Sequence, residues 1–210
     1  MEKELILTPE ELYYMGRFLQ AKYIDYAYIA AMSDIKHNYS LFEKEAQASL
    51  VSAGILIEDF GGNLEIDASA LSVLKPIFFG EVETSIGICC VGEPSTVSVN
   101  KFHFHDGAVT MVTGDNGKLV IKAVDQMAIH EFVSNILAEN YNGKFEVVKE
   151  INKEKITRFI AAKSIVVGQT AVVNTYIESD GILYCEKDGK IKSMPRDMFI
   201  EEAYGIVKGE

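Results

Sequence analysis

A pattern of strands and turns that occurs twice constrains this chain more than any other feature. DGAVTM, beginning at Asp106, matches DGILYC at Asp180, and NGKLVIK at Asn116 matches DGKIKS at Asp188, with a two-residue insertion or deletion relating them. The two copies lead to similar segments, MAIHE from Met127 and later MFIEE. Three matches in one order indicate two structurally related halves that share a core.

We therefore predict an α+β fold in which helices flank a central antiparallel sheet, with the two halves in a pseudo-two-fold arrangement. The chain, 1–210, is predicted to form a single α+β domain, and the related halves correspond approximately to 1–140 and 141–210. A chain of 210 residues with 48% hydrophobic side chains is long and apolar enough to bury a sizeable core.

Hairpin turns and β-rich runs predict the central sheet. Asp106-Gly107 and Asn116-Gly117 favour the left-handed turn positions that join adjacent antiparallel strands. The predicted strands cover Ser85–Val91, Thr96–His105, Ala108–Thr113 and Lys118–Ala123. The later third is predicted to contain a helix near Lys153–Ala162, strands over Ile165–Glu178 and a last helix after Pro195.

The N-terminal third carries helix signals. Thr8 and Glu11 form a capping box, and Pro9 suits the first helical position. One stripe of the helix that follows is predicted to face the core, with Tyr13, Tyr14 and Tyr28 elsewhere; the stripe comprises Leu12, Met15, Leu19, Tyr23, Tyr26 and Ala30.

A winged-helix-like segment is predicted next. A helix over Leu41–Ala53 ends at Gly54, and the runs Ile55–Ile57 and Leu64–Ile66 form a hairpin around a glycine-rich turn. Two further helices are predicted over Ala68–Phe79 and from Asp125 to about Leu137.

The charge balance and the cysteines bear on partners and location. A formal net charge of -11 repels a phosphate backbone, so nucleic acid is not an expected partner. The sequence shows no secretory signal and no apolar run of about 20 residues, so we expect a cytoplasmic protein without stable membrane insertion. Cys89, Cys90 and Cys185 form no disulfide framework or CxxC pair, and we expect them to be reduced.

The residues with catalytic or metal-binding chemistry form no complete constellation. His103 and His105 project from the same face of a predicted strand, a spacing that holds a metal ion only when a third ligand approaches. The remaining histidines are His37 and His130, and no local cluster completes the set, so we favour a partly solvated strand face over a metal site. No nucleophile elbow or phosphate loop is present. We predict no catalytic residues, no metal, no cofactor and no enzymatic activity.

Several stretches together resemble the EspG-like chaperones of type VII (ESX) secretion, in particular the shorter EsaE-type versions of low-GC Gram-positive bacteria. The matching stretches are LTPEEL at Leu7–Leu12, EKEAQASLVSAGILIEDFGGNLEI at Glu43–Ile66 and ALSVLKPIFFGEVETSIGI at Ala70–Ile88. The resemblance implies a cytoplasmic chaperone that binds a secretion substrate with a helical hairpin and keeps it soluble for export. It supplies no catalytic residues.

Large apolar residues beside acidic turns are the candidates for contact with such a partner. Phe102, Phe104, Ile182 and Tyr184 combine apolar anchoring with nearby polar groups, although each also fits an ordinary sheet core. The alternative function is a winged-helix regulatory protein that binds nucleic acid or another protein, based on Leu41–Ile66. The acidic residues of its wing, Glu58, Asp59 and Glu65, weigh against phosphate contact.

Overall fold

The computed structural model describes residues 4–32, 39–139, 141–187 and 189–209. Asp188, at the predicted second copy of a hairpin turn, and His37 lie outside the described residues. The chain divides into two compact units. Met1–Glu81 with His103–Ala123 make up the first unit, and Val82–Phe102 with Val124–Glu210 make up the second.

The described residues contain six α-helices and twelve strands. In chain order these are β1 (Glu4–Leu7), α1 (Pro9–Phe18), α2 (Tyr26–Ala30), α3 (Tyr39–Ser52), β2 (Leu56–Glu58), β3 (Leu64–Ile66), α4 (Ala68–Phe79), β4 (Val82–Cys90), β5 (Thr96–His105), β6 (Ala108–Asp115), β7 (Lys118–Val124), α5 (Gln126–Ser134), β8 (Glu146–Val148), β9 (Ile156–Val166), β10 (Val172–Ser179), β11 (Ile182–Lys187), β12 (Lys190–Ser193) and α6 (Arg196–Val207). None of these helices has the length and apolar character needed to cross a membrane.

The first unit packs its helices on four strands in the order β1, β7, β6 and the end of β5. β1 runs antiparallel to β7, with Leu5 opposite Ile121 and Leu7 opposite Leu119. These side chains join those of α1, α3 and α4 in one core, whose fully or almost fully buried members include Leu12, Met15, Leu50, Leu56, Ala70, Leu74 and Val112. β2 and β3 form a separate hairpin.

The capping box at the start of α1 is confirmed. Thr8 Oγ1 accepts a hydrogen bond from the Glu11 backbone N–H at 3.1 Å, and Glu11 Oε2 accepts one from the Thr8 N–H at 2.7 Å. Pro9 occupies the first helical position, where no backbone donor is needed. The local sequence therefore determines where this helix begins.

The predicted stripe along one long helix is wrong beyond Leu19. α1 ends at Phe18, Gln20 adopts a φ of 54°, and a new short helix begins after the Asp25 cap. This break changes which side chains face inward: Tyr26 is 78% exposed, whereas Tyr28 is only 5% exposed. Tyr23, also assigned to the core, is exposed as well.

The second unit has the strand order β5, β4, β9, β10, β11, β12 and β8. β9 is paired antiparallel along most of its length with β4 on one side and β10 on the other. α6 packs on β9 and β4, and α5 packs on α6. The buried residues of this unit include Ile86, Phe102, Ile160, Tyr176, Leu183, Phe199 and Val207.

The helix predicted near Lys153–Ala162 is wrong. Only Lys153–Lys155 forms a short 3-10 helix, and the rest of the segment belongs to β9. The alanines and lysines of this segment favour a helix in isolation. Pairing with β4 and β10, together with the burial of alternate residues such as Ile160 and Ala162, stabilises a strand instead. The edge strands β1 and β8 were not predicted at all.

The hairpin turns follow the prediction closely. Residues with positive φ occupy both turn positions at Asp106-Gly107, Asn116-Gly117 and Asp180-Gly181. These are the backbone angles that two-residue hairpin loops require. An α+β fold with a large antiparallel sheet and helices is thus confirmed, while the single domain, the halves 1–140 and 141–210, their pseudo-two-fold relation and the winged-helix likeness stay predictions.

Candidate partner-binding surface

Alternation along β9 divides its side chains between two different environments. Successive side chains of a strand point to opposite faces of the sheet. Ile160 and Ala162 are fully buried, whereas Phe159 is 37% exposed and Ala161 and Lys163 are half-buried. One face of this sheet therefore belongs to the core, and the other remains accessible.

The helices of the second unit pack on the buried face. The rings of Tyr176 and Phe199 are 5.0 Å apart and almost perpendicular, and Phe102 packs edge-on against Phe132 of α5. Thr84 Oγ1 donates a hydrogen bond of 2.8 Å to the carbonyl of Val207 near the end of α6. We call this side of the sheet the covered face.

The opposite side, which we call the open face, is assembled from cross-strand rows. The strand registers align the residues as Cys89–Phe159–Ile177–Tyr184, Gly87–Ala161–Thr175 and Ser85–Lys163–Val173. The first row is apolar or aromatic along its whole length. The second row consists of small residues, so the open face has a shallow depression along its middle. These rows create an apolar surface with a shallow middle, a shape that suits a protein partner better than a small ligand.

β5 extends the open face beyond β4. A β-carbon built on Gly87 would lie 3.8 Å from Val99 Cγ2, so Val99 packs above this glycine. Val97, two residues earlier on the same side of the strand, is 71% exposed. The open face thus continues as accessible β-branched side chains up to Lys101.

Three charged groups lie at the end of the open face opposite Phe159. Lys101 Nζ and Glu83 Oε1 form an ion pair at 3.0 Å, and both side chains are largely buried. Burial, and secondly the charge of Lys163, lower the pKa of Lys101 to about 8. Burial also raises the pKa of Glu83, against the opposing effect of Lys163. Lys163 is therefore close enough to act electrostatically on both members of the pair.

The four predicted partner-contact residues occupy different places. Tyr184 lies on the open face opposite Ile177, and Ile182, two residues earlier in β11, is exposed on the same side of its strand. Phe102 is fully buried on the covered face, and Phe104 is half-buried in the first unit. The contact role of all four stays a prediction.

The fold is similar to that of EspG5. A solved structure of the Mycobacterium tuberculosis type VII secretion system chaperone EspG5 in complex with a PE25–PPE41 dimer matches with a TM-score of 0.65 and 7% sequence identity, over 99% of this chain and 96% of that chain. At this identity the likeness establishes the shared fold alone. No protein-family model matches the sequence, and no curated protein matches it.

Sequence reasoning missed most residues of the open face. Phe159 and Ile177 lie at its centre, and Val97 and Val99 extend it, yet none was a candidate. A signal was available in the alternation of TVSVNKF, whose valines and lysine fall on one side of the strand and Phe102 on the other. The preference for large aromatic anchors favoured Phe102 over its neighbours.

The two histidines of the HxH pair have different surroundings. His103 is buried, and its Nε2 lies 2.8 Å from the hydroxyl of Tyr28. His105 is partly exposed, with its Nε2 3.4 Å from Asp106 Oδ2 and its ring beside Phe79. Within the described ranges, no three His, Cys, Asp or Glu side chains are grouped so that they could hold a metal ion.

The β2–β3 hairpin presents an aromatic side chain at its tip. Asp59 Oδ1 accepts hydrogen bonds from the backbone N–H groups of Gly61 and Asn63 at 2.7 and 2.8 Å, and the hydrogen bonds from Asn63 lower the pKa of Asp59. Phe60 within this loop is fully exposed. The neighbouring Glu58 and Glu65 are also exposed, so the wing of the predicted winged-helix-like segment carries an acidic surface.

Proposed function

We propose that this chain is a cytoplasmic chaperone, or adaptor, for a secreted protein of a type VII system, and that it acts without catalysing a reaction. The observation that carries the proposal is the open apolar face on a fold similar to that of a type VII secretion chaperone. The partner that we propose is an effector with a helical hairpin, whose exposed apolar end is held soluble until export.

The open face fits such a partner better than it fits a second copy of the chain. Two copies with a net charge of -11 each repel one another, and this repulsion opposes self-association through any surface. The row from Phe159 to Tyr184 offers aromatic and aliphatic contacts to the apolar side of a helix, while the small side chain of Ala161 leaves room for a large side chain.

The proposal includes an internal symmetry of the fold and two of the predicted contact residues. We infer that the halves 1–140 and 141–210 are related by a pseudo-two-fold operation, supported by the turn-strand pattern at Asp106 and Asp180. Of the predicted contact residues, Ile182 and Tyr184 are the two whose positions on β11 support partner contact. Phe104 is retained as a weaker candidate beside them, and the burial of Phe102 supports a core role.

Co-purification from the native host tests the proposal. Tagged wild-type chain should enrich a secreted protein with a predicted helical hairpin, and Phe159→Glu should remove it by placing an uncompensated charge within the contact. Val172→Glu is the matched control, because Val172 is more exposed than Phe159 and pairs with Ser164 on the other side of the sheet. Failure to enrich any such protein, or equal loss with both variants, would contradict the proposal.

The winged-helix alternative has its own test. α3 is followed directly by the β2–β3 hairpin, which is the order of elements that motivates it. A regulatory protein that binds DNA should bind a duplex with an affinity that falls steeply as salt concentration rises. We expect no such binding in a gel-shift titration, since Glu58, Asp59 and Glu65 surround the exposed Phe60. Salt-sensitive duplex binding would favour the alternative.

A further inference from the structure

The charged end of the open face contains one more positive than negative group. Lys101 is paired with Glu83, and Lys163 acts on both of them from the adjacent strand β9. Lys163 lies between Ser85 and Val173 in its cross-strand row, and its side chain is half-buried. Glu83 is the carboxylate on which Lys163 acts, and its ion pair is with Lys101, so these three groups together carry one net positive charge.

A protein that covers the open face must also remove water from this lysine. Burying a cluster of charges with an excess positive group is costly, whereas a carboxylate brought to it by the other protein offsets much of that cost. Lys163 lies on β9, which is an inner strand of the sheet. The strands β4 and β5 flank it in one direction, and β10 and β11 flank it in the other. The Lys163 side chain therefore has little access to a sheet edge where its charge could stay hydrated.

We propose that Lys163, supported by the Lys101–Glu83 pair, is the specificity-determining group of the open face and selects a protein partner that places a carboxylate against it. The inference rests on the proposed function and deepens it by specifying the chemistry of the partner. A carboxylate is favoured over a nucleic-acid phosphate because the net charge of -11 repels a polyanion but tolerates a single acidic side chain.

The strand spacing also sets where that carboxylate lies relative to the apolar anchor. Phe159 and Lys163 are four positions apart on β9, which at about 3.3 Å per residue corresponds to about 13 Å. A helix rises about 1.5 Å per residue, and residues seven or eight positions apart lie on the same side of it, so a partner helix lying along β9 would carry its large apolar residue and its acidic residue about seven or eight positions apart. This spacing can be compared directly with the sequence of a recovered partner.

Titration calorimetry with this chain and the co-purified secreted protein tests the inference. Lys163→Glu should weaken binding at least about tenfold, because it replaces the attraction to the partner's carboxylate by repulsion. Lys163→Gln should weaken binding less, because the neutral glutamine loses the attraction without adding repulsion. Lys190→Glu, a change of the same kind at an exposed lysine of β12, should stay within about twofold of wild type. Added salt should weaken wild-type binding more than binding by Lys163→Gln.

The outcomes separate this inference from the proposed function. If Phe159→Glu abolishes binding while Lys163→Glu matches the Lys190→Glu control, the charge-selection inference is wrong and the open face stands as the binding surface. If no secreted partner is recovered, or Phe159→Glu has no effect, the proposed function fails and the inference fails with it. Restored binding between Lys163→Glu and a partner whose acidic residue is changed to lysine would support the contact directly. Circular dichroism of each variant verifies that it is folded.

Discussion

The two faces of the sheet in the second unit are made from the same strands, yet helices pack on the side chains of one face and leave those of the other partly exposed. On the covered face, Tyr176 and Ile160 are fully buried, and Tyr176 packs against Phe199 of α6. On the open face, Phe159 and Ile177 lie side by side in neighbouring strands and keep part of their surface accessible. Stability therefore depends mainly on one face, which leaves the other available for contact with a partner.

The largest difference between the faces should appear when an aromatic side chain is removed from each. Phe199→Ala leaves a cavity beside Tyr176 and should lower the free energy of unfolding by about 3–5 kcal/mol. Phe159→Ala removes a side chain that is already partly in water and should cost only about 1–2 kcal/mol. Urea unfolding followed by circular dichroism measures both. Equal losses would show that the open face is also part of the stabilising core.

A smaller contrast is expected between adjacent hydroxyl groups on β4. Thr84→Val leaves the buried Val207 carbonyl without its side-chain donor and should cost about 1–3 kcal/mol. Ser85→Val, one residue later on the open face, should change the free energy of unfolding by no more than about 0.5 kcal/mol. Thermal unfolding of the two variants in parallel provides the measurement, and a larger effect at Ser85 would reverse the assignment of the faces.

A pH-dependent difference should distinguish the charged end of the open face. Lys101 has a pKa of about 8 when folded and an ordinary value of 10.5, so the unfolded chain binds more protons between these values. Wild-type stability relative to Lys101→Met should therefore rise from pH 8 to pH 10.5, by on the order of 1 kcal/mol after allowance for solvent screening. Parallel urea titrations at the two pH values measure the change. A flat difference would indicate that Lys101 remains hydrated.

The smallest effect concerns thiol chemistry and leaves stability unchanged. In a Cys90→Ser variant, Cys89 on the open face should react with Ellman's reagent well before Cys185 on the covered face. Cys185 is buried, and burial raises the pKa of its thiol, which reduces the reactive thiolate. Absorbance traces of the native protein should show one fast thiol, with the second released on unfolding. Two equally fast thiols would mean that the covered face opens readily.

The parts of the fold that the sequence predicted correctly are those governed by neighbouring residues. The Thr8 cap, the Asp106-Gly107 turn and the bounds of α4 each follow from interactions within a few positions of the chain. β9 depends instead on β4 and β10, which are distant in sequence, and its alanines and lysines suit a helix equally well. Long-range pairing decided this element, and a single sequence does not display it.

The sequence identified two residues of the open face, but it did not show which face of the sheet the helices cover. Ile182 and Tyr184 were identified from their size and their position beside an acidic turn, and both lie on the open side of β11. Phe102 met the same criteria, but α5 packs over it. Alternation identifies which residues of a strand share a face, whereas the choice of the buried face depends on where the helices settle.

The alternation along β9 has a consequence for how such a protein can diversify. We expect substitutions at positions 159, 161 and 163 to destabilise the fold less than substitutions at positions 160 and 162, which are fully buried in the core. Under the proposed function, a gene duplicate could acquire a new partner through a few substitutions at these positions while the core residues between them stay unchanged. The same separation makes the odd-numbered positions of β9 suitable for a randomised library from which new binders are selected.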